Sequence, residues 1–179
     1  MTLAANAVQL STEALVESFF RDTEGDWRSE RRYYTLKSGD IQEVVSLVSI
    51  KFLARGSDLL IDLAQRHDMA DLESLVCGAQ VTWESQYPNS ERRKPVTGST
   101  VFGVKAETLY RDRGFATSKP VTATCAFRDS RTMTLFTDYN NSSFEEELKL
   151  ISHQYRTRQT IIKRAGEEQM IGQYLEKRL

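Results

Sequence analysis

The residues with the most evident chemistry lie in "QYRTRQTIIKR" (154–164), where Arg156 and Arg158 stand two residues apart. Tyr155, Thr157, Thr160, Ile161 and Ile162 favour an extended chain around them. Successive side chains of a strand face opposite sides, so residues i and i+2 share a face, and like charges there repel unless water or an anion separates them. On an outer face water suffices. On an inner face the pair asks for an anionic ligand.

Other reactive side chains carry less. Cys77 and Cys125 lie in unrelated contexts with no C-x-x-C spacing, which argues against a zinc site or a disulfide framework and for reduced thiols in the core. His67 and His153 lack metal-ligand spacing and read as structural, so no metal site is expected. The basic runs "RSERR" and "ERRKP" are expected to solvate strand ends or turns. Twenty-four Lys and Arg against 25 Asp and Glu leave a net charge of -1, giving no bulk attraction for nucleic acid or an anionic membrane surface.

These residues need a scaffold. "STEALVESFF" opens with a capping-box-like Ser11 or Thr12 and places Leu15, Val16, Phe19 and Phe20 at helical spacing, which predicts an amphipathic helix over 12–22. A short second helix is expected in "SDLLIDLAQRHDM", capped by Ser57 or Asp58, with Leu59, Leu60, Leu63, Ala64 and His67 along one side. Most of the remainder reads as about ten strands separated by turn residues, among them Ser38-Gly39-Asp40, Asn140-Asn141 and Ala165-Gly166. One sheet of so many strands removes its open edges by closing.

The expected fold is therefore mainly β: an up-and-down antiparallel barrel with an N-terminal helix. Polar residues interrupt the strand alternation around Arg156, and a sealed apolar core would not accept them, since each unpartnered buried polar group costs about 1–3 kcal/mol. A barrel with a polar, ligand-holding interior would. With 40% hydrophobic and 27% charged residues and no linker-like segment, the whole of 1–179 is expected to be one soluble domain, with residues 1–10 flexible. The opening residues do not read as a secretion signal and no apolar run reaches membrane-spanning length, so a cytosolic-type compartment is expected.

Several motifs together resemble a known family. "FFRDTEGDWRSER" (19–31), "VCGAQVTW" (76–83), "TGSTVFG" (97–103), "LYRDRGFA" (109–116) and the final "YRTRQTIIKR" are similar, in order and spacing, to the S-type and U-type phycobiliprotein lyases (CpcS/CpeS-like). Those proteins attach linear tetrapyrrole bilins to antenna apoproteins. The resemblance implies a ten-stranded lipocalin or fatty-acid-binding-protein-like barrel. It also implies a bilin substrate, phycocyanobilin or phycoerythrobilin, with no further cofactor. The implied partners are phycobiliprotein α or β apo-subunits, and either a second copy or a paralogous lyase subunit. The implied compartment is the cyanobacterial cytosol, or the plastid stroma in an alga.

Residue by residue, the resemblance assigns Arg156 and Arg158 to the bilin propionates and Glu146 to the family's acidic position, as partner of the pyrrole nitrogens. It assigns Trp83 to an aromatic wall of the pocket and Thr160 to a small hydroxyl position. Within "FEEELK" the pattern itself does not select Glu146 over Glu145 or Glu147. Trp27 is left to the core. The segment "LKLISH" and Gln154 depart from the family's aromatic-rich stretch and its Asn. Two other functions fit a barrel of this kind: a lipocalin-like carrier of bilin or fatty acid, and the less active subunit of a heteromeric lyase.

Overall fold

Ser11 caps the first helix: its Oγ accepts from the backbone N–H of Ala14 at 3.2 Å, satisfying one donor that a helix start leaves open. The computed structural model describes residues 11–90 and 93–179, so the flexibility expected of residues 1–10 lies outside the described residues. Helix α1 runs Thr12–Thr23 and buries Val16, Phe19 and Phe20, the stripe its sequence predicts. Helix α2 spans Asp58–Arg66, with Ser57 at the capping position but making no side-chain cap bond. It buries Leu60, Leu63 and Ala64.

Ten strands follow the helical and turn signals: β1 (Gly25–Thr35), β2 (Ile41–Ala54), β3 (Cys77–Gln86), β4 (Val96–Lys105), β5 (Thr108–Arg111), β6 (Val121–Asp129), β7 (Thr132–Tyr139), β8 (Ser142–Leu150), β9 (Tyr155–Arg164) and β10 (Glu167–Arg178). Each pairs antiparallel with its neighbour in the chain, and β1 pairs with β10 to close the barrel. The closing ladder runs from Trp27↔Arg178 to Thr35↔Met170, so no sheet edge is left open among the described residues. The hairpin turns use the residues that tolerate a left-handed backbone. Asn140 and Asn141 have φ of 51° and 59°, and Gly166 has φ of 81°.

The two helices lie on different sides of the wall. The apolar face of α1 plugs one end of the barrel, where Val16, Phe19 and Phe20 share a core with Val48, Ile50, Ala79, Leu109, Met133 and Leu135. Complete burial of one such side chain is worth about 1.5–3 kcal/mol, so the plug is a substantial part of the core. A separate cluster joins α2 to Leu53, Leu75 and Val101. Glu13 near the start of α1 accepts from the backbone N–H of Ala106 at 2.5 Å, fixing the plug at the β4–β5 turn. The β5–β6, β7–β8 and β9–β10 connections therefore lie at the other end, the mouth.

Trp27 is core, as expected. It is fully buried and its indole N–H donates to the carbonyl of Thr23 at 2.9 Å. Cys77 and Cys125 are buried free thiols, and burial, aided by nearby carboxylates, pushes both up to about 12. His67 bonds through Nε2 to the carbonyl of Arg111 at 2.9 Å and sits edge-on to Tyr110, a structural role. One expectation changes: within "RSERR", Arg28 and Arg32 are solvated, but Arg31 points inward because β1 alternates and position 31 shares a face with buried Trp27 and Ser29.

Candidate functional site

Strand β9 turns Arg156, Arg158 and Thr160 to the inside of the barrel and Tyr155, Thr157 and Gln159 to the outside. The repulsion expected between the two guanidiniums is met by buried carboxylates on neighbouring strands. Glu176, the direct partner of Arg156 across the β9–β10 ladder, stands with Oε2 2.5 Å from its Nε. Glu146 on β8 accepts from Nη2 of Arg158. Its other oxygen lies 3.1 Å from Nη1 of Arg111, contributed by β5 from across the barrel. Glu146 is thus held between two cations, with its side chain 1% exposed.

Aromatic faces fill the gaps between these charges. The Arg111 guanidinium lies 4.9 Å from the Phe102 ring centre and 4.8 Å from that of Phe115. Arg158 and Arg31 approach the Tyr174 ring at 5.0 and 5.2 Å, and the Tyr174 hydroxyl is 3.1 Å from that of Tyr33. Arg156 covers Trp27 at 5.0 Å. A guanidinium against an aromatic face keeps its charge at low desolvation cost, which lets so many arginines share one interior.

Burial would raise the Glu146 carboxyl, but the charges of Arg158 and Arg111 outweigh it and hold the group below its ordinary value. Glu176 behaves likewise, burial opposed mainly by Arg156. Both are fixed anions rather than proton donors. Burial lowers Arg111 despite Glu146, whereas for Arg158 burial is outweighed by Glu146 together with Tyr174, Glu176 and Tyr33, which raise it. Burial also raises the Tyr174 hydroxyl above its ordinary value, so the phenol keeps its proton.

These groups surround a cavity of about 260 Å³ between the α1 plug and the mouth. Its apolar floor includes Phe19, Phe20, Leu109 and Met133, and Trp83 forms part of one wall. Five arginines and two glutamates line it, an excess of three positive charges. A second space of about 650 Å³ shares Arg31, Arg158 and Tyr174 with it but is lined mainly by outward-facing residues of β1, β9 and β10, among them Thr157, Gln159 and Leu175. The arrangement suits an elongated, largely apolar ligand bearing carboxylates. Among the described residues no cluster of His, Cys, Asp and Glu could hold a metal ion.

Four residues that the resemblance assigns, Glu146, Arg156, Arg158 and Trp83, line this one cavity. Thr160 does not. It sits buried in the wall as the ladder partner of Glu146, and its hydroxyl has no partner among the described residues. Sequence reasoning missed Arg111, Glu176, Arg31 and Tyr174. For Arg111 a signal existed: "RDR" at 111–113 repeats the two-residue arginine spacing of 156–158.

Comparisons with known proteins give the family and the fold of the chain. The family described as CpeS-like protein matches residues 15–179. A Nostoc protein named as a candidate phycocyanobilin lyase, CpcS 2, is 51% identical over 179 residues, covering 100% of this chain and 99% of that protein. A candidate chromophore lyase, CpcV, from Picosynechococcus is 44% identical over 100% of this chain and 86% of its own length. Among solved structures, the S-type phycobiliprotein lyase CPES from Guillardia theta superposes with a TM-score of 0.78 at 23% identity, over 96% of this chain and 94% of that one, which shows the shared barrel fold. The chain belongs to the CpeS-like protein family.

Proposed function

We propose that this protein is a phycobiliprotein bilin lyase, which binds phycocyanobilin or phycoerythrobilin in the barrel and delivers it to a cysteine of a phycobiliprotein α or β subunit. The observation that carries the reading is Glu146, an ionised carboxylate held between Arg111 and Arg158 in the wall of a cavity where arginines alternate with aromatic and aliphatic groups. A bilin combines a long apolar framework, pyrrole N–H donors and two carboxylates. A carboxylate inside the cavity favours the protonated, more electrophilic bilin, and surrounding cations favour its propionates. Arg158 lines the cavity and is 22% exposed, which makes it the arginine of the pair for a ligand carboxylate. Arg156, at 7% exposed, is committed to Glu176 and positions the wall. Trp83 supplies ring surface, and Thr160 supports Glu146 from within the sheet.

The chemistry is addition of a thiol across the ethylidene double bond of the bilin: sulfur bonds to one carbon and the thiol proton ends on the bilin. The nucleophile belongs to the acceptor. Cys77 and Cys125, buried and pushed up to about 12, hold almost no thiolate near neutrality. The chain contributes proximity and electrostatics, keeping the bilin in one extended conformer. At about 260 Å³ the cavity falls short of the ~300–1,000 Å³ common for ligand pockets, so part of the bilin projects from the mouth, where an acceptor can reach it. The reaction takes place where the acceptor subunits accumulate, the cyanobacterial cytosol or plastid stroma. A second copy or a paralogous subunit is the expected partner beyond the acceptor.

Coexpression with a bilin-producing pathway and single acceptor subunits tests the reading. Zinc-induced fluorescence that survives denaturation, found on an acceptor only when this chain is present, is the expected result. Bilin bound tightly by the chain but transferred to no subunit, alone or with a paralogue, would make it a carrier.

A further inference from the structure

The carboxylates inside the barrel leave two of the five lining arginines, Arg31 and Arg113, without an ion pair among the described residues. Arg111 and Arg158 share Glu146, and Arg156 has Glu176. Arg31 gives its Nε to the Ser29 hydroxyl at 3.1 Å and its face to Tyr174. Arg113 also lines the cavity, yet no ion pair joins it to a carboxylate among the described residues.

Its position is fixed by the chain on either side. Asp112 binds back to β4, its Oδ1 accepting from the Thr100 hydroxyl at 2.7 Å and from the Val101 N–H at 3.0 Å. That removes the carboxylate nearest in sequence from Arg113. On the other side the Ala116 N–H donates to the Tyr139 hydroxyl at 2.8 Å, and Phe115 stacks on Phe144 at 4.6 Å with 12° between the planes. Gly114 packs so close to Tyr139 that a Cβ there would lie 2.9 Å from the phenol oxygen. The loop is therefore ordered as it stands, and a ligand meeting it at the mouth spends little freedom on arranging it.

We propose that Arg113, held at the mouth by the Asp112–Thr100 and Ala116–Tyr139 bonds, binds one carboxylate of the bilin and selects the free diacid over esterified or monocarboxylic tetrapyrroles. This rests on the bilin reading of the cavity. Arg158 takes the inner carboxylate and Arg113 the outer one. A rim cation of this kind acts on orientation and selectivity more than on total affinity. It holds the projecting end of the bilin in one place while the acceptor thiol approaches.

The test is binding of phycocyanobilin and of its dimethyl ester to the full chain and to Arg113→Gln, followed by absorbance. The substitution should weaken the free acid about two- to fivefold, as expected for an exposed charge pair, and leave the ester unchanged. Arg113→Lys, which keeps the charge without the planar fork, should recover part of the loss. Equal weakening of acid and ester would show that Arg113 acts only through the loop, and no weakening of either would remove it from the site. Both outcomes overturn the proposal while leaving the bilin reading intact. A wild-type chain that binds neither form would overturn that reading and the proposal with it.

Discussion

Arg156 and Glu176 face each other across the β9–β10 ladder with Nε and Oε2 2.5 Å apart, both buried, so the arginine pair of the sequence is split between two separate carboxylates. Removing one member of a buried pair strands the other, at about 3–5 kcal/mol. Arg156→Ala should therefore lower stability by roughly that amount in urea unfolding, while Arg156→Met with Glu176→Leu recovers most of it. A single variant as stable as the parent would show that the pair is not a structural unit.

Glu146→Gln keeps the volume but removes the charge between Arg111 and Arg158. The absorption band of bound bilin should shift towards that of the unprotonated pigment, and transfer should slow. Arg158→Ala should instead weaken binding about ten- to a hundredfold, the worth of a charge-assisted bond. An unchanged spectrum in the first and unchanged affinity in the second would detach both residues from the ligand.

Acid should undo the interior. Glu146 and Glu176 are held below their ordinary values in the folded chain, so the unfolded chain takes up protons at higher pH. Their contribution to stability is complete above about 4.3, the unfolded value, and is lost as pH falls through the depressed folded values. Melting temperature should decline as pH falls below about 4.3, and Glu176→Gln should flatten that decline. An identical profile in the variant would mean that these carboxylates do not govern acid unfolding.

Trp83 depends on the absence of a side chain opposite it. Gly98 is its ladder partner on β4, and a Cβ there would lie 2.3 Å from Cζ2 of the indole. Gly98→Val should push the ring into the cavity at a cost of about 1–3 kcal/mol, weakening bilin binding by tenfold or more. Full affinity in that variant would place the bilin away from Trp83.

The strand count, both helices and the closed meander were legible because each rests on local periodicity and turn chemistry. So was the shared face of Arg156 and Arg158, since a period of two needs only two residues. Their partners were not. Glu176 lies 20 residues beyond Arg156, and Arg111 lies 35 residues before Glu146, distances bridged only by the order in which strands close the barrel. Within "FEEELK" the choice of Glu146 came from the resemblance, and the register supplies its physical reason: Glu146 faces inward, whereas Glu145 and Glu147 pair with Lys163 and Arg128. Arg31 was hidden in a run whose neighbours are solvated.

The central claim is that bilin passes from this cavity to a thiol of another protein without a covalent stop on this chain. Purified protein loaded with phycocyanobilin and freed of excess pigment, then mixed with an apo-phycobiliprotein subunit, tests it on a denaturing gel stained with zinc. The account predicts fluorescence on the acceptor band, none on this chain, and the same yield from the folded Cys77→Ala, Cys125→Ala double variant. Fluorescence that appears on this chain first and is lost with Cys77 or Cys125, or that never reaches any acceptor, would contradict it.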